Sequence, residues 1–171
     1  MKTQTLIRWA GAAAIVGGII NVVLSLPPME AVAGLPFGYV VGSAAIMYGL
    51  IGIYAVQAEG SGVVGLAGFL LALLGNAYFI GPQGPVAGVE GTMVYGSIYA
   101  LGLVLLAIGS LRARRFPRWA PWMWIVAVVI GLPGAFVPEL GTLPFLLGAL
   151  AYGVGFAGAG YTLWRGKTAA R

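Results

Sequence analysis

Polar side chains are few in this sequence, and they are unevenly placed. Asn21, Ser25, Tyr39, Ser43, Asn76, Tyr78, Tyr95, Ser97 and Tyr99 lie inside long apolar runs, each in the half of its run that alternating crossings would place on the outer side. Glu30, Gln83, Glu90 and Glu139 lie in the loops that adjoin that end. Amides and phenols that converge beside carboxylates can hold a small polar molecule or a cation. The residues expected to line such a cup are Asn21, Glu30, Tyr39, Asn76, Gln83, Glu90, Tyr95 and Glu139. A plainer reading covers the same residues. Asparagines in apolar helices bond across to neighbouring helices, and tyrosines gather at the headgroup level of a bilayer. Loop carboxylates solvate a turn or complement the positive end of the next helix, as Glu139 would, directly after Pro138. Glu59 falls in a short turn at the opposite end and reads as a solvated charge. None of the four glutamates falls at a predicted midplane, where a proton-coupled carrier would need one.

The missing residue types narrow the chemistry. There is no Cys, His or Asp. A His-ligated haem, a thiolate or imidazole metal centre and a Ser-His pair all lack their parts. Neither lysine, Lys2 or Lys167, falls within an apolar run, so none is placed for a Schiff base inside the bundle. No catalytic residue, metal site or cofactor is expected. The one enzymatic reading left is a lone glutamate isomerising or cyclising a lipid-soluble substrate.

The elements that would position these residues follow from composition. Hydrophobic residues make up 60% of the 171 and charged residues 8%, against roughly 25% charged in a soluble domain. One globular core cannot bury that much apolar surface, so the sequence predicts an all-α integral membrane protein. The apolar runs are Ile7–Leu26, Phe37–Gln57, Gly62–Ile80, Thr92–Leu111, Pro121–Val137 and Leu143–Trp164. About 20 residues of helix cross a hydrocarbon core of roughly 30 Å. Six transmembrane helices in a single domain, 1–171, are expected. Lys2 and Arg8 before the first run and Ala31-Val32-Ala33 after it resemble a cleavable signal. The length of the run and the presence of Asn21 favour a retained helix.

Orientation rests on Leu111–Trp124, which holds Arg112, Arg114, Arg115 and Arg118 among only 9 Lys and Arg. Cytoplasmic loops collect such residues. The N-terminal, Arg112–Arg118 and C-terminal segments are basic and fall on one side after an even number of crossings; the loops with Glu30, Glu90 and Glu139 fall on the other. Both termini are therefore expected in the cytoplasm, the protein being multi-pass in the inner (plasma) membrane. All five tryptophans (Trp9, Trp119, Trp122, Trp124, Trp164) lie near the basic side. Basic residues that flank apolar runs suit anionic lipid headgroups, so the lipid bilayer is the expected partner and nucleic acid is not.

Three hairpins, about 1–58, 59–116 and 117–171, show a weak threefold repeat. Small residues recur at every fourth position in each outward helix: Ala13, Gly17, Asn21; Gly68, Ala72, Asn76; Ala127, Gly131, Ala135. In lipid such stripes let helices approach closely. In a chain this rich in Gly and Ala they also arise by chance.

Three classes of function fit. One is solute binding or transport through an outward-facing polar cup. The second is an accessory or scaffold subunit of a larger membrane complex, which the small-residue faces suit equally. The third is the intramembrane enzyme already described. In helix count, size and topology the chain resembles the substrate-binding membrane subunits of energy-coupling-factor importers. Ala10, Ala14 and Gly18 are comparable to the small-residue motif with which those subunits dock a partner. The resemblance is one of architecture plus this short motif, and it implies a transmembrane coupling subunit as partner.

Overall fold

The computed structural model describes residues 3–29, 37–81, 84–137 and 142–166. Among these the chain is all-helical, with five α-helices: α1 (Thr3–Leu24), α2 (Gly38–Ala77), α3 (Gly91–Ala113), α4 (Trp119–Phe136) and α5 (Leu143–Trp164). A short 3-10 turn, Pro27–Met29, follows α1. Helices α1, α2, α3 and α5 are long and apolar enough to cross a membrane, and α4 is a shorter apolar helix. Large apolar side chains point outward, Phe37 at 77% exposure and Val63 at 82%. Water would penalise such a surface and lipid would not. This is the build of a membrane protein.

The helix count corrects the expected six. The second and third apolar runs form one 40-residue element, α2, because the helix continues through Ala58-Glu59-Gly60-Ser61 with no proline to stop it. Only Gly62 leaves helical geometry, at φ 63° and ψ −168°, a region essentially reserved for glycine. Straight, α2 would measure about 60 Å, twice the roughly 30 Å of a hydrocarbon core. Instead it doubles back. The Asn76 side-chain amide donates to the Ser43 carbonyl at 2.8 Å, and the Tyr54 and Phe69 rings stack with centroids 4.4 Å apart. The arms 38–61 and 62–77 therefore lie side by side and antiparallel.

Backbones meet closely where small residues face each other. A methyl group on Gly49 would lie 2.7 Å from the Ala14 Cβ, and one on Gly11 would lie 2.6 Å from the Gly160 carbonyl oxygen. On Gly109 it would lie 2.5 Å from the Gly65 Cα, and on Gly148 2.5 Å from the Gly131 Cα. The glycines thus serve the seams of α1 with the first arm of α2, of α1 with α5, of the second arm with α3, and of α4 with α5. Helix association in lipid depends on such packing because burial of apolar groups gains nothing there. Between the seams lies a core of Ile46, Leu50, Ile53, Leu106, Trp124, Phe156 and Leu163, all fully buried.

The hairpin repeat does not carry through to the described side chains. Asn21 donates to the Gly17 carbonyl of its own helix at 2.9 Å, whereas Asn76 crosses to Ser43. The corresponding position in α4 is Ala135, which has no amide to offer. Equal spacing in sequence here yields unequal pairing, because the partner helix differs at each seam. The fifth run begins at Trp119, two residues before Pro121, and keeps Pro133 inside α4.

Candidate functional site

At the end of the bundle where α2 stops and α3 starts, the chain makes a compact loop. Val86 and Val89 exchange backbone hydrogen bonds of 2.8 and 3.0 Å. Between them Ala87 (φ 50°) and Gly88 (φ 81°) both adopt positive φ, the signature of a tight two-residue reversal. The turn delivers Glu90 to the start of α3, where partial positive charge accumulates on the free N–H groups. The Glu90 carboxylate does not cap a backbone N–H. Its Oε1 accepts a 2.6 Å hydrogen bond from the Thr92 hydroxyl, and the group remains exposed.

Tyr78 ties the loop to the helices. Its hydroxyl donates to the Gly84 carbonyl at 2.9 Å and accepts from the Gly84 N–H at 3.0 Å. Its ring stacks on Tyr95 of α3, centroids 4.5 Å apart and planes 10° apart, and meets Phe79 edge-on. Gly91 is required beneath it: a methyl group there would collide with the Tyr78 hydroxyl and the Gly84 carbonyl. Together Tyr78, Gly84, Pro85, Glu90, Gly91 and Thr92 line an open cleft of about 400 Å³. It offers the Glu90 carboxylate, the Tyr78 phenol backed by Tyr95, and Pro85. That set suits a small organic cation or a hydrogen-bonding solute, since an aromatic face and a carboxylate both attract positive charge.

Of the residues expected to line a cup, Glu90 lines this cleft, and Tyr95 stands behind Tyr78 outside the lining. Asn21 and Asn76 point elsewhere, and both amides are engaged by helix carbonyls. Tyr39 lies in the first turn of α2, partly buried. Glu30, Gln83 and Glu139 fall outside the described residues. The face carrying Ala10, Ala14 and Gly18 packs within the chain: Ala10 meets Gly52, Ala14 meets Gly49, and Gly18 meets Gly153 and Phe156.

Two polar features inside the bundle are not expected from the sequence. The Tyr99 and Tyr152 hydroxyls share a 2.6 Å hydrogen bond between α3 and α5, and Tyr152 leads through Phe156 to Trp124 in a chain of ring contacts. Gln57 is fully buried, and both of its side-chain amide atoms lack a partner among the described residues, as does the Trp124 Nε1. The spacing Ile46, Leu50, Ile53, Gln57 would have placed Gln57 on a buried face. No sequence signal pairs Tyr99 with Tyr152.

The chain matches no protein-family model, no curated protein and no solved structure.

Proposed function

We propose that this chain is a solute-binding or transport protein of the inner (plasma) membrane, with its binding cleft on the non-cytoplasmic side. Counting the two arms of α2 separately gives six crossings in one domain, 1–171, arranged as hairpins 1–58, 59–116 and 117–171. An even number leaves both termini on the arginine-rich, cytoplasmic side. The observation that carries the reading is the cleft between Tyr78, Pro85, Glu90 and Thr92, of about 400 Å³. Its loop is held in shape by the paired hydrogen bonds of Tyr78 to Gly84. Glu30, Gln83 and Glu139 adjoin the same end in sequence and complete the proposed set with Tyr39 and Tyr95, whereas the amides of Asn21 and Asn76 are spent on helix carbonyls.

The test is native mass spectrometry of the protein extracted in mild detergent from its own host at native expression level. The expected spectrum shows a reproducible small added mass, which Glu90→Gln removes and Asn76→Ala leaves in place. A stoichiometric protein partner with no small ligand would instead favour the accessory-subunit reading. Ala10, Ala14 and Gly18 already pack against the chain's own helices, so such a partner would have to dock on another face.

A further inference from the structure

The opposite end of the bundle carries a second arrangement, where α1 begins and α5 ends. The Arg8 Nε donates to the Trp164 carbonyl at 3.1 Å, and its guanidinium carbon sits 5.5 Å above the Trp164 ring. That carbonyl is one of the last in α5, which the helix itself cannot satisfy, so Arg8 closes the end of α5 from a neighbouring helix. A guanidinium has five N–H donors. Among the described residues Arg8 uses one of them, leaving four.

Arg165 follows Trp164 directly. Its guanidinium carbon stands 4.8 Å from the centre of the Tyr161 ring. Trp9 meets Trp164 edge-on, centroids 6.2 Å apart. The rings face outward, with Trp9 57%, Tyr161 50% and Trp164 40% exposed. Two cations are thus each held over an aromatic ring, at one end of two adjoining membrane-length helices. The carboxylates among the described residues are Glu59, in the last helical residues before Gly62, and Glu90, at the far end of the bundle.

We propose that Arg8 and Arg165, on the shelf formed by Trp9, Tyr161 and Trp164, form a binding site for the phosphate headgroup of an acidic phospholipid. The planar guanidinium matches two phosphate oxygens at once, and stacking on a ring fixes its orientation before the lipid arrives. The indoles and the phenol lie at the level where a lipid's glycerol and upper acyl chain would pass. A zwitterionic lipid brings its own cation to the same place and gains less. The site rests on the membrane character of the chain and is independent of the cleft beside Glu90.

The experiment is native mass spectrometry of the whole chain in detergent, titrated with phosphatidylglycerol or with phosphatidylcholine of the same acyl composition. Acidic-lipid adducts are expected to bind more tightly, with a loss of about fivefold in affinity for each guanidinium removed. Arg165→Gln leaves the Arg8 closure of α5 intact and therefore tests the site without disturbing the helix end. Arg8→Gln/Arg165→Gln should remove the preference. Arg112→Gln/Arg118→Gln, which changes net charge equally, should retain it. Equal binding of the two lipids, or equal loss in both double variants, overturns the proposal. Displacement of the adduct by inorganic phosphate alone would also overturn it, reassigning the patch to a soluble anion.

Discussion

Replacing Gln57 with methionine should make the protein more stable. The side chain is fully buried and neither its amide nitrogen nor its amide oxygen has a partner among the described residues. An unpaired amide loses its water on burial and gains nothing in return, at about 1–3 kcal/mol on the scale of protein mutations. Methionine keeps the unbranched length and adapts to irregular gaps, so the exchange adds little strain. The expected gain is about 1–3 kcal/mol, or roughly 3–9 °C in melting temperature for a chain of this size. Thermal unfolding in one detergent, followed by circular dichroism, measures it. Gln57→Ala serves as the comparison, since it removes the amide but opens a void, and should gain less than methionine or lose stability. A fall in stability for Gln57→Met would refute the reasoning: the amide would then be held by an internal water or a bound molecule, and the bundle would contain a polar site at that level.

Other outcomes follow from single contacts. Gly62→Ala should cost about 1–3 kcal/mol despite open space around it, because the penalty lies in the backbone angles; the same melting assay reads it. Asn76→Ala should cost about 0.6–2 kcal/mol by removing the bond to Ser43, and a reversible unfolding titration in detergent would show it. Tyr99→Phe and Tyr152→Phe should each destabilise by about 1 kcal/mol by orphaning the other hydroxyl. The double variant should lose less than their sum, and strict additivity would show that the two hydroxyls are not paired. Gly75→Val should separate the second arm of α2 from α3, where even a methyl group would lie 2.6 Å from the Tyr99 nitrogen. Its signature would be faster hydrogen exchange over 62–77.

The helices were legible because long apolar runs and prolines mark them almost completely; Leu143–Trp164 is bounded identically in sequence and structure. The fusion at 58–61 was not legible. Polar residues such as Glu59 and Ser61 suggest a loop, yet they continue a helix as readily as they leave one when no proline intervenes. Small-residue periodicity announced close seams, and Gly65, Gly68, Ala72 and Gly75 do face α3. The same pattern cannot name the partner, so Ala10, Ala14 and Gly18 looked available to another protein although they meet the chain's own helices. At the candidate site, polarity and position in the sequence point to Glu90 and Tyr95. In sequence Tyr78 is one tyrosine among several, since its role depends on the carbonyl and N–H of Gly84, which side-chain types do not reveal.

The reversal at Gly62 bears on how the protein enters its membrane. The second arm of α2 carries Asn76, whose amide finds its acceptor on Ser43 of the first arm. Released alone into lipid, that arm would carry an unpaired amide, a costly passenger. Only Glu59 marks the turn with a charge, and it pins neither arm to one side on its own. The two arms are therefore built to leave the insertion machinery together, as one folded pair. Biogenesis, on this view, proceeds by paired helices, and a single glycine sets where the two arms of α2 close on each other.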